Sequence, residues 1–268
     1  GNPEERFHED ALRMLRAVRF SAQLGFQIEE NTLRSIEQNS HLIRNISSER
    51  IRDELTRMLM SDNPFAFTLL MDTKLLKYTL PEFENCFLTV QNNPYHVYNV
   101  AIHTLNSVAN IEKDKVLRWT MLLHDIGKPS VKTTDKNSID HFYNHPMQSV
   151  RLAKSILNRL RFDNKSTNRI LRLVRYHDID LRPDAKAIRK AIHKTGDDIF
   201  PDLLKVIKAD KKAQNPKFFE ERAKMIDEIK EIYEDIKSKG QCTSLKELAI
   251  NGHDLISLGF KQGKEINK

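Results

Sequence analysis

The stretch Leu117-Arg118-Trp119-Thr120-Met121-Leu122-Leu123-His124-Asp125-Ile126-Gly127-Lys128-Pro129 decides how this chain is read. An apolar helical run ends there on an adjacent histidine and aspartate, followed by a small residue, a lysine and a helix-stopping proline. A histidine and a carboxylate side by side at a helix end offer the nitrogen and oxygen donors that a hard-to-borderline divalent metal takes. More donors lie up- and downstream: His96, His103, His145, His177 and Asp210. A single histidine on an apolar helix is more often a hydrogen-bonded core residue than a ligand. Seven such groups, with two of them adjacent, favour a metal or phosphate site instead. His141 is weaker than His145, which stands just before a new helix, and His193 and His253 read as surface residues.

The 268 residues suffice for one large or two modest domains with a real core. Only 8 Gly and 9 Pro are present, apolar residues recur at helical spacing, and alternating β-branched runs are nearly absent. The fold class is therefore all-α. Cys86 and Cys242 are far apart and outside any CxxC pattern, which suits a reducing compartment better than a disulfide scaffold. No apolar run approaches membrane length and no signal-peptide pattern is present, so a soluble cytoplasmic protein with no membrane partner is expected. A net charge of +7 permits a polyanionic partner without demanding one. Lysines thicken from Lys205 onward, where a solvated helix face and a phosphate-tracking surface fit the charge pattern equally well.

Along the chain, Glu9 to Leu24 reads as one helix with the stripe Leu12, Leu15, Val18 and Ala22, closed by Gly25 at a left-handed cap. A second helix begins near Glu30. A third follows Ser47-Ser48, a serine cap, and turns Ile51, Leu55, Met58 and Leu59 inward. Pro64 opens a short helix, and the segment from Leu75 to Phe83 bends around Pro81. The polar cluster Gln91-Asn92-Asn93-Pro94 marks a boundary, after which a histidine-rich helical unit runs to about Pro216. His96 and His103, two turns apart, are expected to share a helix face. Thr133 to Ser138 has the turn chemistry of an exposed connection. A long charged helix from Phe218 to Lys239 and a tail from Thr243 complete the chain.

The His124-Asp125 block and its flanking histidines resemble the HD phosphohydrolases. The resemblance implies that His103, His124, Asp125 and Asp210 hold one divalent metal of unspecified identity. His145 and His177 then bind a second metal or the substrate phosphate, with Asp178 adjoining His177 and His96 as runner-up for the first position. It also implies a catalytic set of Asp125, Lys128, His145 and His177. Asp125 would bridge metal and water, the metal would lower that water's pKa for in-line attack on phosphorus, and Lys128 would offset developing charge.

A second resemblance is carried by Pro3-Glu4-Glu5-Arg6-Phe7-His8-Glu9-Asp10-Ala11-Leu12-Arg13-Met14-Leu15-Arg16-Ala17-Val18-Arg19-Phe20, by Ile46-Ser47-Ser48-Glu49-Arg50-Ile51-Arg52-Asp53-Glu54-Leu55, and by the tail Leu248-Ala249-Ile250-Asn251-Gly252-His253-Asp254-Leu255-Ile256-Ser257-Leu258-Gly259-Phe260. These blocks, in this order around an HD unit, are similar to the bacterial class II CCA-adding tRNA nucleotidyltransferases. The resemblance covers essentially the whole chain. Asp10 and Arg13, at i and i+3, are expected on one helix face. A carboxylate accepting from an exocyclic amine, beside a guanidinium donating to a ring acceptor, is complementary to cytosine or adenine. The resemblance makes Glu9, Asp10 and Arg13 the template for incoming CTP or ATP, with Glu9 steadying the arginine. Taken alone, the same spacing describes an ordinary surface ion pair worth little.

The expected organisation is a neck over 1–60, a body over 61–93, an HD unit over 94–216 and a truncated body and tail over 217–268. The family's polymerase head, a β-sheet with paired carboxylates for Mg2+, has no counterpart in this sequence, so the chain is expected to be a fragment unable to add nucleotides alone. The implied partners are tRNA, CTP and ATP. A free-standing HD phosphohydrolase acting on nucleotides or cyclic phosphates is the alternative, and an RNA-binding scaffold with a relic HD unit is a third reading. The base-reading helix favours the first.

Overall fold

The computed structural model describes residues 2–240, 252–257 and 259. The first helices are α1 (Pro3–Glu9), α2 (Leu12–Leu24), α3 (Glu30–Asn39), α4 (Ser48–Leu59), α5 (Phe67–Asp72), α6 (Leu76–Thr79) and α7 (Pro81–Leu88). A second set comprises α8 (Val100–Ala109), α9 (Lys115–Leu123), α10 (Lys128–Val131), α11 (His145–Arg159), α12 (Asn164–Tyr176), α13 (Ala185–Thr195) and α14 (Phe200–Lys212). The long α15 (Phe219–Ser238) packs on α14 and α13, and α16 (Gly252–Ser257) follows. The class is all-α, with one addition that the sequence did not announce. At the start of the expected connection and just beyond its end, β1 (Thr133–Thr134) and β2 (Asp140–His141) pair antiparallel, Thr133 opposite His141 and Thr134 opposite Asp140.

One apolar core runs from Phe7 to Ile236. The stripe Leu12, Leu15, Val18 and Ala22 of α2 is buried against α4, whose Ile51, Leu55, Met58 and Leu59 are buried in turn. A buried ion pair, Arg19 Nε to Glu54 Oε2 at 2.5 Å, clasps the two helices. The first set meets the second where α4 packs on α9. Arg118 is buried there and donates to the carbonyls of Leu59 and Ser61, which places a cation where α4 leaves its last carbonyls unpaired. Trp119 Nε1 donates to Thr56 Oγ1 at 3.0 Å across the same seam. The base of the metal-site helix is thus fixed to the neck.

Three local expectations need correction. The segment from Glu9 to Leu24 is two helices, not one, because Asp10 is extended (φ −151°, ψ 101°) and its Oδ1 accepts from the Leu12 N–H, capping the new start. Asp10 and Arg13 therefore do not lie on one helical face. Ser47 sits at the N-cap of α4 but its hydroxyl makes no cap bond. His96 precedes α8, whose cap is Asn99, so His96 and His103 share no helix face. Gly25 does close α2 in the left-handed region, φ 73°. The tail from Thr243 to Asn251, Cys242 and the His253 side chain lie outside the described residues.

Candidate metal centre

Five helices deliver the six donors. His103 lies within α8, His124 and Asp125 follow the last residue of α9, His145 opens α11, His177 closes α12 and Asp210 sits near the end of α14. All six are buried. The last apolar residues of α9, Met121, Leu122 and Leu123, are buried as well, so the helix carries its polar terminus into the interior.

The four imidazoles are oriented the same way. Nδ1 faces a backbone carbonyl in each: Ala213 for His103 at 3.3 Å, Met121 for His124 at 2.6 Å, Phe142 for His145 at 2.9 Å and Val174 for His177 at 2.7 Å. Those contacts suit Nδ1–H and aim Nε2 inward, as metal-binding histidines are held from behind. The Nε2 atoms then approach one another, 3.4 Å between His103 and His124 and 3.2 Å between His145 and His177. Two Nε2 lone pairs cannot satisfy each other, so an electrophile between them fits the geometry.

Asp125 joins the two groups. Its Oδ2 lies 3.3 Å from His103 Nε2 and 3.2 Å from His124 Nε2, and its Oδ1 lies 3.3 Å from His145 Nε2 and 3.5 Å from His177 Nε2. Asp210 Oδ1 completes the first group, 3.0 Å from His103 Nε2 and 3.6 Å from His124 Nε2. Two sets can each hold an ion: His103, His124, Asp125 and Asp210, and Asp125, His145 and His177. Asp125 Oδ2 is buried and lacks a hydrogen bond of normal geometry, although Lys128 Nζ stands 2.7 Å away, off the donor direction. An orphaned carboxylate oxygen facing two imidazole nitrogens fits a divalent ion.

The electrostatics agree with this polarity. Burial opposes charge on His124, but the carboxylates of Asp125 and Asp210 outweigh it and raise that imidazole to about 10. Burial likewise opposes ionisation of Asp125, yet His124 and Lys128 hold it well below the usual range. Asp210 is held low against burial by Lys211, His103 and His124. Burial pushes His177 down. The site keeps its carboxylates charged in the absence of any bound ion.

Of the remaining sequence candidates, Lys128 is buried and also donates to Gln91 Oε1 at 2.9 Å. His96 stands edge-on to His103 at 5.0 Å but belongs to neither ion-holding set; burial pushes it down to about 2, and its Nδ1 has no partner. His193 is exposed, as expected. Asp178 is exposed, with Lys211 Nζ 3.9 Å away. Above the donors opens a pocket of about 360 Å³. Sequence reading missed several of its walls: Tyr95, Tyr143, Gln214 and Arg222. Lys211 was legible only as one of the lysines that thicken after Lys205.

At the neck, Glu9 pairs with Arg13 at 2.5 Å and with Arg6 at 3.0 Å. Asp10 Oδ2 pairs instead with Arg50 of α4 at 2.9 Å. Glu9 thus touches Arg13 as expected, whereas Asp10 is held from across the neck.

Residues 25–87 match the family described as the probable RNA and SrmB-binding site of polymerase A, and residues 94–213 match the HD domain. Fold and site together define a helical RNA-binding body joined to an HD-type metal-binding unit. Within that class, the chain is 53% identical over 79 residues to a CCA-adding enzyme of Ligilactobacillus salivarius, covering 29% of this chain and 20% of that protein. It is 30% identical over 221 residues to an A-adding tRNA nucleotidyltransferase of Deinococcus radiodurans, covering 78% of this chain and 51% of that one. The crystal structure of Bacillus stearothermophilus CCA-adding enzyme in complex with CTP shares the fold, with a TM-score of 0.61 at 23% identity over 100% of this chain and 56% of that one. Over the matched residues the chain is thus related to the CCA-adding tRNA nucleotidyltransferases. It spans about half the length of the longer-matching relatives.

Proposed function

We propose that this chain is the neck, body and HD portion of a tRNA nucleotidyltransferase that builds the 3′-terminal CCA of tRNA from CTP and ATP in the cytoplasm. Its HD unit acts as a metal-dependent phosphohydrolase that clears phosphate esters from RNA 3′ ends. The observation that carries the hydrolase reading is the pair of donor sets sharing Asp125 beneath an open pocket. At the neck, Arg13 and Asp10 form the base-reading edge, with Glu9 orienting Arg13 and Arg50 orienting Asp10. Both Asp10 oxygens retain a second lone pair with which to accept an exocyclic amine.

When bound, divalent ions in the HD unit would polarise a phosphoryl oxygen and lower the pKa of an attacking water. The chain supplies the rest. Backbone carbonyls lock the four imidazoles, Asp125 spans both donor sets, and Lys128 sustains the charge on Asp125. Lys211, on the pocket wall beside Asp210, sustains the charge on that carboxylate. Elemental analysis combined with hydrolysis of 2′,3′-cyclic nucleotide under several divalent ions tests the reading. Turnover lost in the double variant His124→Ala, Asp125→Ala is expected; absence of turnover under every ion rejects the hydrolase function.

A further inference from the structure

Arg222 reaches the pocket from α15, beyond residue 213 where the HD match ends. It stands apart from the other cations of that wall. Lys128 is spent on Asp125, and Lys211 on Asp210 and Asp178. Arg222 has no carboxylate partner among the described residues. Its hydrogen bond goes to a neutral group, Nη1 to Gln214 Oε1 at 2.5 Å, and its guanidinium lies over the Tyr95 ring at 4.8 Å and near that of Phe218 at 5.5 Å.

The same contacts fix where Arg222 acts. Gln214 is buried and spends its amide nitrogen on Asp210 Oδ2 at 3.1 Å, so the guanidinium stands one side-chain amide beyond a metal-facing carboxylate. Lys211 and Arg222 line the same pocket, so the guanidinium faces the space above the donors. A planar fork with unused N–H donors, pinned against an aromatic ring, matches a phosphate diester better than a base edge, because the ring face it covers is no longer open for stacking.

We propose that Arg222 is a specificity-determining residue of the HD pocket, binding the phosphate on the 5′ side of the nucleotide whose 3′ phosphate ester lies at the Asp125 centre. The pocket then prefers a nucleotide within a strand end to a free nucleoside monophosphate. This rests on the phosphohydrolase reading for its substrate class, but it concerns recognition and not turnover.

The test compares uridine 3′-monophosphate with uridine 3′,5′-bisphosphate, which differ only in that 5′ phosphate. For the wild-type chain, both KM by phosphate release and Kd by calorimetry should favour the bisphosphate by about tenfold, the scale of one charge-assisted contact. Arg222→Gln should erase the preference while metal content by elemental analysis stays at the wild-type level, and Arg222→Lys should retain part of it. Turnover of both compounds with equal KM overturns the proposal and leaves the hydrolase reading standing. Calorimetric preference lost in Arg222→Gln, without turnover of either compound or of the 2′,3′-cyclic nucleotide, supports the proposal and rejects the hydrolase reading. A chain that binds neither compound overturns the proposal.

Discussion

Asp125 is the residue on which the HD unit turns, because one carboxylate serves both donor sets while holding a buried lysine. Its removal should therefore act on two levels. Asp125→Ala is expected to abolish metal at both sets, whereas Asp210→Ala should empty the first set and spare His145 and His177. Metal stoichiometry by elemental analysis separates the two patterns, and equal losses in both variants would contradict the shared-ligand geometry. Asp125→Ala also leaves Lys128 charged and buried, a loss of about 3–5 kcal/mol for a broken buried pair. Adding Lys128→Met to that variant should recover much of the loss in urea denaturation, since an apolar stem tolerates the site that a lone ammonium does not. At the neck the same logic gives the opposite result. Arg50 and Asp10 are partly exposed, so Arg50→Ala should change stability by no more than about 1 kcal/mol.

Elements hold these residues only where helices approach closely. Gly127 donates its N–H to Ser149 Oγ at 3.0 Å, and a Cβ there would meet Ser149 N at 2.5 Å, Gln148 C at 2.9 Å and His145 O at 2.9 Å. All three are backbone atoms of α11, so no side-chain rotation relieves the clash. Gly127→Ala should push α11 away, cost about 1–3 kcal/mol and weaken metal at the set containing His145 more than at the set containing His103. Differential metal retention during dialysis reads this, and uniform loss would argue against it. The contact explains why Gly follows His-Asp-Ile, yet nothing in the sequence names its partner. The His124-Asp125 helix end and the inward stripes of α2 and α4 were legible because they rest on local periodicity and donor chemistry. The break at Asp10 was not. There a carboxylate exchanges helix continuity for a cap on Leu12 and a bond to Arg50, forty residues away. The β1–β2 hairpin and the reach of Arg222 were equally hidden, since both depend on which distant segment packs alongside.

At the scale of the whole molecule, pocket and body are held by carboxylates whose ionisation folding extends to lower pH. Most lysines of α14 and α15 are paired: Lys205 with Glu112, Lys208 with Asp227, Lys211 with Asp210, Lys230 with Glu234 and Lys237 with Asp197. The lysine count of this region therefore overstates its free cationic surface. The pocket walls depend on similar pairs. Asp140 is buried; that burial opposes its charge, but Lys132 and the Asn92 N–H hold it below its ordinary range, tying β2 to the loop before α8. Asp198 is held low by Arg172, which joins α12 to the turn after α13. For a carboxyl whose folded pKa lies below its unfolded value, the stabilisation is complete above the unfolded pKa, near 3.8 for Asp, and is lost as pH falls through the folded value. These carboxyls make stability decline below about pH 4. The half-buried His96, lowered to about 2 from its ordinary 6.5, makes it decline already as pH drops below about 6.5, because the unfolded chain then binds a proton that the folded one refuses. Asp140→Asn should cost about 1–3 kcal/mol at neutral pH, through the weakened Lys132 and Asn92 bonds, and should flatten the acid decline. Urea midpoints at pH 7, 5 and 3 for both proteins decide the matter. Parallel acid declines in wild type and variant would show that Asp140 does not carry the linkage.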